Sequence, residues 1–568
     1  MTEVPSKHPS SKTAADKNWW RGAVIYQIYP RSYADYNGDG IGDLAGIVEK
    51  LSHIAKLGAD AIWISPFFRS PMKDFGYDVS DYRDVDPMFG TLADFDRLVA
   101  RAHELGLKVM IDQVLSHSSD QHAWFVESRS SRDNPRADWY VWVDPQPDGS
   151  PPNNWLSVFG GSSWQWDTRR KQYYLHNFLV SQPDLNFHNE AVQQQLLDDI
   201  RFWLDRGVDG FRFDACNFHF HDRQLRSNPA QPLAAGQDLP ANPYEMQVHR
   251  FDKTQPENLG FLERIRQLLD EYGAASVGEI GDPQALPTML AYSAQNKRLN
   301  MTYSFSLLTP EKSAAYIRRQ VEEFETMTAQ PGNGGWPCWT ISNHDMPRMM
   351  SRWGGPDAPL PFARVAGAML LSLRGSACWY QGDELGLPEA DVPYELLQDP
   401  VGITFWPANK GRDGCRTPMP WHRDQPNGGF GTPAGKTPWL PVPEAHRARA
   451  VDVSEADPNA PIHFLRAFLQ WRKTVPALRT GPIRFLDAPE PVLALVRTPE
   501  AGDAGPSLLM LFNLSGQPAS FDLPGAPASS ASDAAPFAQL PVSQRGQRNG
   551  NRFEMPAHGL YVGAIDVT

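Results

Sequence analysis

The chain has 568 residues, 41% hydrophobic and 21% charged, a globular balance that excludes disorder over most of its length and is too long for one ordinary core. Its net charge of −13 offers no basic footing for nucleic acid. No apolar run reaches the roughly 18 residues needed to span a bilayer, and residues 1–18 lack the apolar stretch of a secretory signal.

Residues 1–18 therefore read as a disordered N-terminal tail, and the expectation is a cytoplasmic protein with neither nucleic acid nor membrane as partner. The cysteines Cys216, Cys338, Cys378 and Cys415 show no metal-ligand spacing and read as buried thiols of a reducing compartment.

From residue 22 to about 380, short apolar runs alternate with amphipathic helical segments, the βαβα order of a parallel sheet. The first helix follows at DLAGIVEKLSHIAKLG, where Leu44, Ile47, Leu51, Ile54 and Leu57 recur at helical spacing and Gly58 supplies the stop. TLADFDRLVARAHELG repeats the pattern, with Thr91 as N-cap and Gly106 closing. The strand candidates are AVIYQIYP, ADAIWISP, LKVMIDQV, DGFRFDAC, ASVGEI, LNMTYSF, CWTISNHD and SACWYQGDE. Eight such units predict an α/β fold, a (β/α)8 TIM barrel, rather than an open sheet carrying a GxGxxG phosphate loop.

Barrel chemistry sits where strands end, so polar residues should terminate these runs. They do: Asp112 and His117 follow the third, Arg212 and Asp214 end the fourth, Glu279 the fifth, His344 and Asp345 the seventh. Between residues 118 and 184 helical periodicity lapses and six Trp accumulate, predicting an insertion domain after the third strand. Beyond residue 481, the runs IRFLD, PVLALVR, SLLMLFNLS and ASFDL predict a C-terminal antiparallel β-sandwich domain, with ASSASDAAP a loose loop. The expected division is barrel at 19–117 and 185–480, insertion at 118–184, and β-domain at 481–568.

Arg212 and Asp214 lie two apart on a strand and share a face, so each needs a partner there. Two carboxylates at neighbouring strand ends, Asp214 and Glu279, are the minimum equipment for breaking an acetal bond. In the loop DYNGDGIGD, Asp35, Asn37 and Asp39 alternate as oxygen donors with Gly40 at the turn, but Gly46 stands where an EF-hand requires Glu.

As a set, GFRFDA, VGEI, SNHD and DQVLSH resemble the signature segments of the α-amylase family of glycoside hydrolases (glycoside hydrolase family 13). YPRSYADYNGDGIGDLAGI, DFGYDVSDY, FGGSSWQWD, QPDLNF and GRDGCRTPMPW resemble its oligo-1,6-glucosidase and α-glucosidase branch. The resemblance implies Asp214 as nucleophile, Glu279 as acid then base, and Asp345 as the carboxylate that steadies the sugar in the transition state. It implies that Arg212 keeps Asp214 ionised, and that Glu279 has a raised pKa. It further implies an Asp74–Arg412 pair gripping the terminal glucose, Tyr77 stacking on it, and His117 and His344 donating to its hydroxyls. A structural Ca²⁺ or Mg²⁺, without catalytic part, is implied on Asp35, Asn37, Asp39, the Ile41 carbonyl and Asp43. Ser116 before His117 departs from the Asn tied to a second, interdomain calcium in amylases, and that calcium is not expected.

The expected function is a retaining, exo-acting α-glucosidase on short substrates such as maltose and sucrose, with transglucosylation as a side activity. Ala215, where relatives selective for α-1,6 bonds tend to carry Val, leans the bond preference to α-1,4. The alternatives are a transglucosylase or isomerase of the sucrose isomerase or trehalose synthase type, an oligo-1,6-glucosidase, or more distantly a non-catalytic barrel scaffold. The partner is a small sugar, no organic cofactor is expected, and monomer and homodimer both stay open.

Overall fold

The computed structural model describes residues 16–565 apart from 234, 235, 237, 433 and 524–534. The expected tail over 1–18 thus falls largely outside the described residues. Of its end, Lys17 already belongs to a turn, its carbonyl accepting the Trp20 indole N–H at 3.1 Å.

All eight predicted strands form, as β1 Val24–Ile28, β2 Ala61–Ile64, β3 Lys108–Val114, β4 Gly210–Asp214, β5 Ala275–Ile280, β6 Met301–Ser304, β7 Cys338–Trp339 and β8 Ser376–Tyr380. They pair in parallel in the order β6-β5-β4-β3-β2-β1-β8-β7. A parallel bridge between Thr302 and Pro337 joins the two ends and closes the barrel. The strands are buried on both faces because side chains fill the inside and helices cover the outside, so their sequences read as continuous apolar runs.

The first two helices, α1 Leu44–Leu57 and α2 Leu92–Glu104, start and stop for local reasons. Asp43 caps α1 by accepting the Gly46 N–H, and Gly58 ends it at φ 104°. Thr91 and Asp94 cap α2 reciprocally in a capping box. Gly46 has no room for a Cβ, which would meet the Ala34 carbonyl oxygen at 2.1 Å, so the loop carrying Asp35 lies directly on α1.

Residues 118–184 leave the barrel after β3 and form an antiparallel sheet of Trp142–Val143, Gln172–Leu175 and Trp164–Asp167. The lapse of helical periodicity there hides one short helix. Ala123–Ser128 is helical, capped by His122, and too short to show a period. A second excursion between β4 and the helix Asn258–Tyr272 spans 219–257; its sequence is polar and without helical period, and its described residues hold one short 3-10 turn, Pro243–Met246.

The C-terminal region forms two antiparallel sheets. Ile483–Phe485, Val492–Arg497, Ser507–Asn513 and Leu560–Ile565 make one; Ala519–Asp522, Arg552–Met555 and Gln547–Asn549 make the other. The last three strands in the chain were not anticipated, being short or following the ASSASDAAP stretch, most of which lies outside the described residues. Arg497 anchors the first sheet to the barrel by donating to the Ser372 carbonyl at 2.7 Å.

Candidate active site

At the carboxyl ends of the strands lies a cavity of about 300 Å³ whose lining includes Asp74, Tyr77, His117, Asp214, Glu279, Asp345 and Arg412. Its floor is organised by Arg212, which is fully buried. Nη1 donates to Asp112 at 2.9 Å and to Asp214 at 2.6 Å, while Nη2 lies 2.8 Å from Glu279 Oε1 and donates to the Tyr303 hydroxyl at 3.0 Å. The guanidinium carbon sits 4.9 Å from the centre of the Trp63 ring. Strand geometry explains the convergence, since Asp112, Arg212 and Val277 are register partners across β3, β4 and β5.

One cation thus serves three carboxylates, and burial wins. Desolvation pushes Asp112 up to about 6, and Asp214 and Glu279 each up to about 7, although Arg212 pulls all three down. Arg212 draws Asp214 toward the ionised form, as its place in FRFD suggests, but its charge is shared with Asp112 and Glu279 and burial acts against it. What separates the two carboxyl groups is their other contacts. Asp214 has the shortest bond to Arg212, whereas Glu279 accepts the Ala215 N–H at 3.0 Å and the Tyr303 hydroxyl at 3.1 Å.

Asp345 behaves oppositely. Burial opposes its ionisation, but the arginines Arg416, Arg412 and Arg212 outweigh it and hold the carboxyl below the usual range. Arg416 Nη2 lies 2.9 Å from Asp345 and Arg412 Nη1 lies 3.4 Å from it. Arg412 also reaches Asp74 at 3.0 Å and Asp399 at 2.7 Å. The predicted Asp74–Arg412 pair is thus present, and Arg416 takes a distinct place beneath Asp345. Gln182 completes Asp74, donating to it at 3.0 Å.

Tyr77 lies between the two charge clusters, its hydroxyl donating to Asp112 at 3.1 Å and meeting His344 Nε2. Gln27 Nε2 donates to His344 Nδ1 at 2.7 Å, which leaves Nε2 as the N–H side. His344 lies beneath the cavity rather than lining it, stacked on Tyr77 with ring centres 5.4 Å apart. His117 lines the cavity, but its Nε2 lies 3.1 Å from the Tyr77 carbonyl. Burial keeps both rings neutral, with His117 lowered to about 4.

Several contributors carry no sign in the sequence of their place here: Asp399, Tyr303, Trp63, Gln182 and Arg416 beneath Asp345. The excursion at 219–257 adds Tyr244 and Lys253 to the cavity lining, and Phe159 and Phe178 come from the insertion. The distinctive local signal among these is that Asp399 precedes a Pro and caps the helix Pro400–Phe405.

The loop at Asp35–Asp43 offers hard oxygen donors of the kind Ca²⁺ or Mg²⁺ takes. Asp35 accepts the N–H groups of Gly38, Asp39 and Gly40, and Asp43 those of Tyr36, Asn37 and Gly46, which leaves lone pairs on each carboxylate. Asn37 and Asp39 are tied to one another by a 3.3 Å hydrogen bond from Asn37 Nδ2. The donor chemistry fits such an ion, but among the described residues no three acidic, His or Cys side chains are gathered as a ready-made sphere.

Removing Arg212 leaves three carboxyl groups buried without a cation. Arg212→Met is expected to cost about 3–5 kcal/mol of stability at pH 7. Groups whose folded pKa is raised favour the folded state at low pH and lose that contribution as pH rises through the folded value. The loss should therefore be smaller at pH 5 than at pH 7. Denaturant titration at both values tests this, and equal losses would show that Arg212 does not balance these acids.

The description "Alpha amylase, catalytic domain" matches residues 27–481. Over 522 residues, 91% of this chain and 93% of the relative, the sequence is 55% identical to a probable alpha-glucosidase of Rhizobium meliloti (strain 1021). It is 37% identical over 540 residues to an oligo-1,6-glucosidase of Heyndrickxia coagulans, covering 89% of this chain and 94% of that one. Among solved structures, an alpha-glucosyl transfer enzyme, XgtA, superposes with TM-score 0.90 at 58% identity, covering 96% of this chain and 99% of that chain. The trehalulose synthase MutB of Pseudomonas mesoacidophila MX-45 does so with TM-score 0.83 at 32% identity, covering 96% and 99%. With barrel, site and comparisons in agreement, the chain belongs to the alpha-amylase family of glycoside hydrolases.

Proposed function

We propose that the enzyme is a retaining, exo-acting α-glucosidase that removes glucose from the non-reducing end of short α-glucosides, of the maltose type, and passes part of it to other alcohols. The observation that carries this is the joint hold of Arg212 on Asp214 and Glu279, facing a cavity that the Arg412–Asp74 pair borders.

In this reading Asp214 attacks the anomeric carbon while Glu279 protonates the departing glycosidic oxygen. The bond to the aglycone breaks as the Asp214–glucosyl ester forms. Glu279, now ionised, takes a proton from water or from an acceptor alcohol, whose oxygen displaces Asp214. Asp345, held ionised by its arginines, steadies positive charge on the ring. The retaining route calls for about 5 to 5.5 Å between the Asp214 and Glu279 carboxyl groups. Tyr77 lies on the cavity wall as the stacking surface, and Asp74 with Arg412 takes the far hydroxyls. His117 and His344 act by fixing Tyr77.

A second reading, transfer or isomerisation in place of hydrolysis, draws on the aromatic lining by Phe159, Phe178 and Phe218 and on the likeness to a transfer enzyme and a trehalulose synthase. Hydrolysis of p-nitrophenyl α-glucoside, whose aglycone has no anomeric centre, followed by NMR decides retention, and a panel of maltose, isomaltose and sucrose decides the bond and the fate of the glucosyl group. The first glucose released should be the α-anomer, and Asp214→Asn should lose at least about 10³-fold in kcat. Initial β-glucose overturns retention, a clear preference for isomaltose over maltose overturns the α-1,4 lean, and isomeric disaccharides exceeding free glucose from sucrose favour the second reading.

The carboxyl dyad predicts the pH profile. The working state carries one proton, on Glu279, where Arg212 holds Asp214 more closely. kcat/KM should fall on the alkaline side, as the dyad loses that proton in the range about 7, and on the acid side, as Asp214 is protonated. A flat profile from pH 5 to pH 9 would remove Glu279 from the acid role.

We also propose that Asp35, Asn37, Asp39, the Ile41 carbonyl and Asp43 hold Ca²⁺ or Mg²⁺, which would tie this loop to the start of α1 and take no part in the reaction. Chelation should lower the melting temperature without changing the kcat of enzyme still folded. An unchanged melting temperature counts against the ion. Four buried free thiols support a cytoplasmic setting, and among the described residues no helix is long and apolar enough to cross a membrane.

A further inference from the structure

Beyond the ends of β4 and β5, the cavity is lined by Phe218, Tyr244 and Lys253. Lys253 comes from the excursion at 219–257 and is 4% exposed. Its Nζ donates to the Tyr244 hydroxyl at 2.9 Å and to the Gly281 carbonyl at 2.7 Å. The ammonium stands 4.8 Å from the Phe218 ring centre and 5.3 Å from that of Tyr244.

Two of the three ammonium donors are thus accounted for. The acids nearest in charge make their short contacts elsewhere, Asp252 Oδ2 with His249 at 2.5 Å and Asp282 with the Thr254 hydroxyl at 2.6 Å. Asp252 Oδ1 is buried without a partner, and among the described residues neither acid hydrogen-bonds the ammonium. A buried ammonium whose fixed partners are a neutral hydroxyl and a carbonyl is costly to keep unless it meets a further oxygen. The cavity is where that oxygen can arrive, and the rings beside Lys253 match the apolar face of a sugar or an alcohol.

We infer that Lys253 positions the aglycone: its third N–H donates to an oxygen of the sugar or alcohol that leaves from, or attacks at, the anomeric carbon, with Phe218 and Tyr244 flanking that group. This rests on the glucosidase reading. On departure the aglycone oxygen takes the Glu279 proton and its bond to carbon breaks. On transfer the acceptor gives its proton to Glu279, its oxygen bonds to carbon, and the ester to Asp214 breaks. Lys253 exchanges no proton in either step; it fixes where the aglycone sits, and so favours acceptors over water.

The bland role for Lys253 is a tether, since Gly281 follows Glu279 by two residues and the bond to its carbonyl fastens the excursion to β5. A tether would serve every substrate alike, whereas a positioning residue matters only when an aglycone carries an oxygen to hold. α-Glucosyl fluoride has no such aglycone.

The test compares maltose with α-glucosyl fluoride in wild type, Lys253→Met and Lys253→Gln. Lys253→Met should lower kcat/KM on maltose by about 10-fold to 100-fold, the worth of a hydrogen bond from a charged donor. It should leave α-glucosyl fluoride within about twofold and reduce transfer products relative to free glucose. Lys253→Gln, which keeps a donor, should recover part of the loss on maltose, and it carries the test if the Met variant does not fold. Equal losses on both substrates would reduce Lys253 to a tether, and unchanged kinetics on maltose would refute the assignment. Failure of wild type to hydrolyse α-glucosyl fluoride would instead refute the glucosidase reading, and this inference with it.

Discussion

The site depends on one buried guanidinium that is given more carboxylates than it can neutralise. Arg212 touches Asp112, Asp214 and Glu279 with no exposure to solvent. Had each acid its own cation, all would be ionised at neutral pH and none would serve as a proton donor. Sharing a single cation leaves the group short of positive charge, and burial turns that shortage into retained protons. Barrel geometry makes the arrangement possible, because register partners on adjacent parallel strands bring side chains from distant segments to one level.

The second cluster is built on the contrary balance. Asp345 and Asp74 meet Arg412 and Arg416, and Asp399 neutralises part of Arg412 from behind, where its own carboxyl is lowered to about 2 by the same arginine despite burial. Here the arginines win at Asp345 and Asp399, which stay charged, while burial still raises Asp74 against the pull of Arg412 and Arg416. The cavity therefore has one wall where a proton is kept and one where it is excluded, the division that acid catalysis beside a developing cation requires. Tyr77 touches both, bonding Asp112 and His344, so displacement of either wall is felt through one ring.

Much of this was legible in the sequence, for local reasons. Eight apolar runs ending in polar residues announce a barrel, and caps such as Asp43 and Thr91 set the helices without reference to anything distant. What was not legible depends on pairings with no local signal. Arg412 and Asp74 lie 338 positions apart, and only the family pattern linked them. Asp399 and Gln182 carry no mark of the partners they find, and the irregular 219–257 stretch gives no period from which Lys253 could be aimed. The sharing of Arg212 is hidden for the same reason: its adjacency to Asp214 is visible in FRFD, but the competing claims of Asp112 and Glu279 arise only when the strands assemble.

Ala215 shows how the choice of bond and the chemistry are joined. Sequence presents it as room on the aglycone side, a place where a larger residue would narrow the cavity. The backbone adds a constraint, since Ala215 stands in the left-handed region at φ 40°, ψ 43°, and so turns its N–H onto Glu279 at 3.0 Å. A β-branched residue is disfavoured in that conformation by contact of its side chain with the backbone. Widening a side chain here therefore pushes on two things at once, the space beside the aglycone and the hydrogen bond that holds the proposed acid. Bond preference and proton placement are in this way tied to a single peptide unit, directly after the carboxylate that the reading assigns to attack.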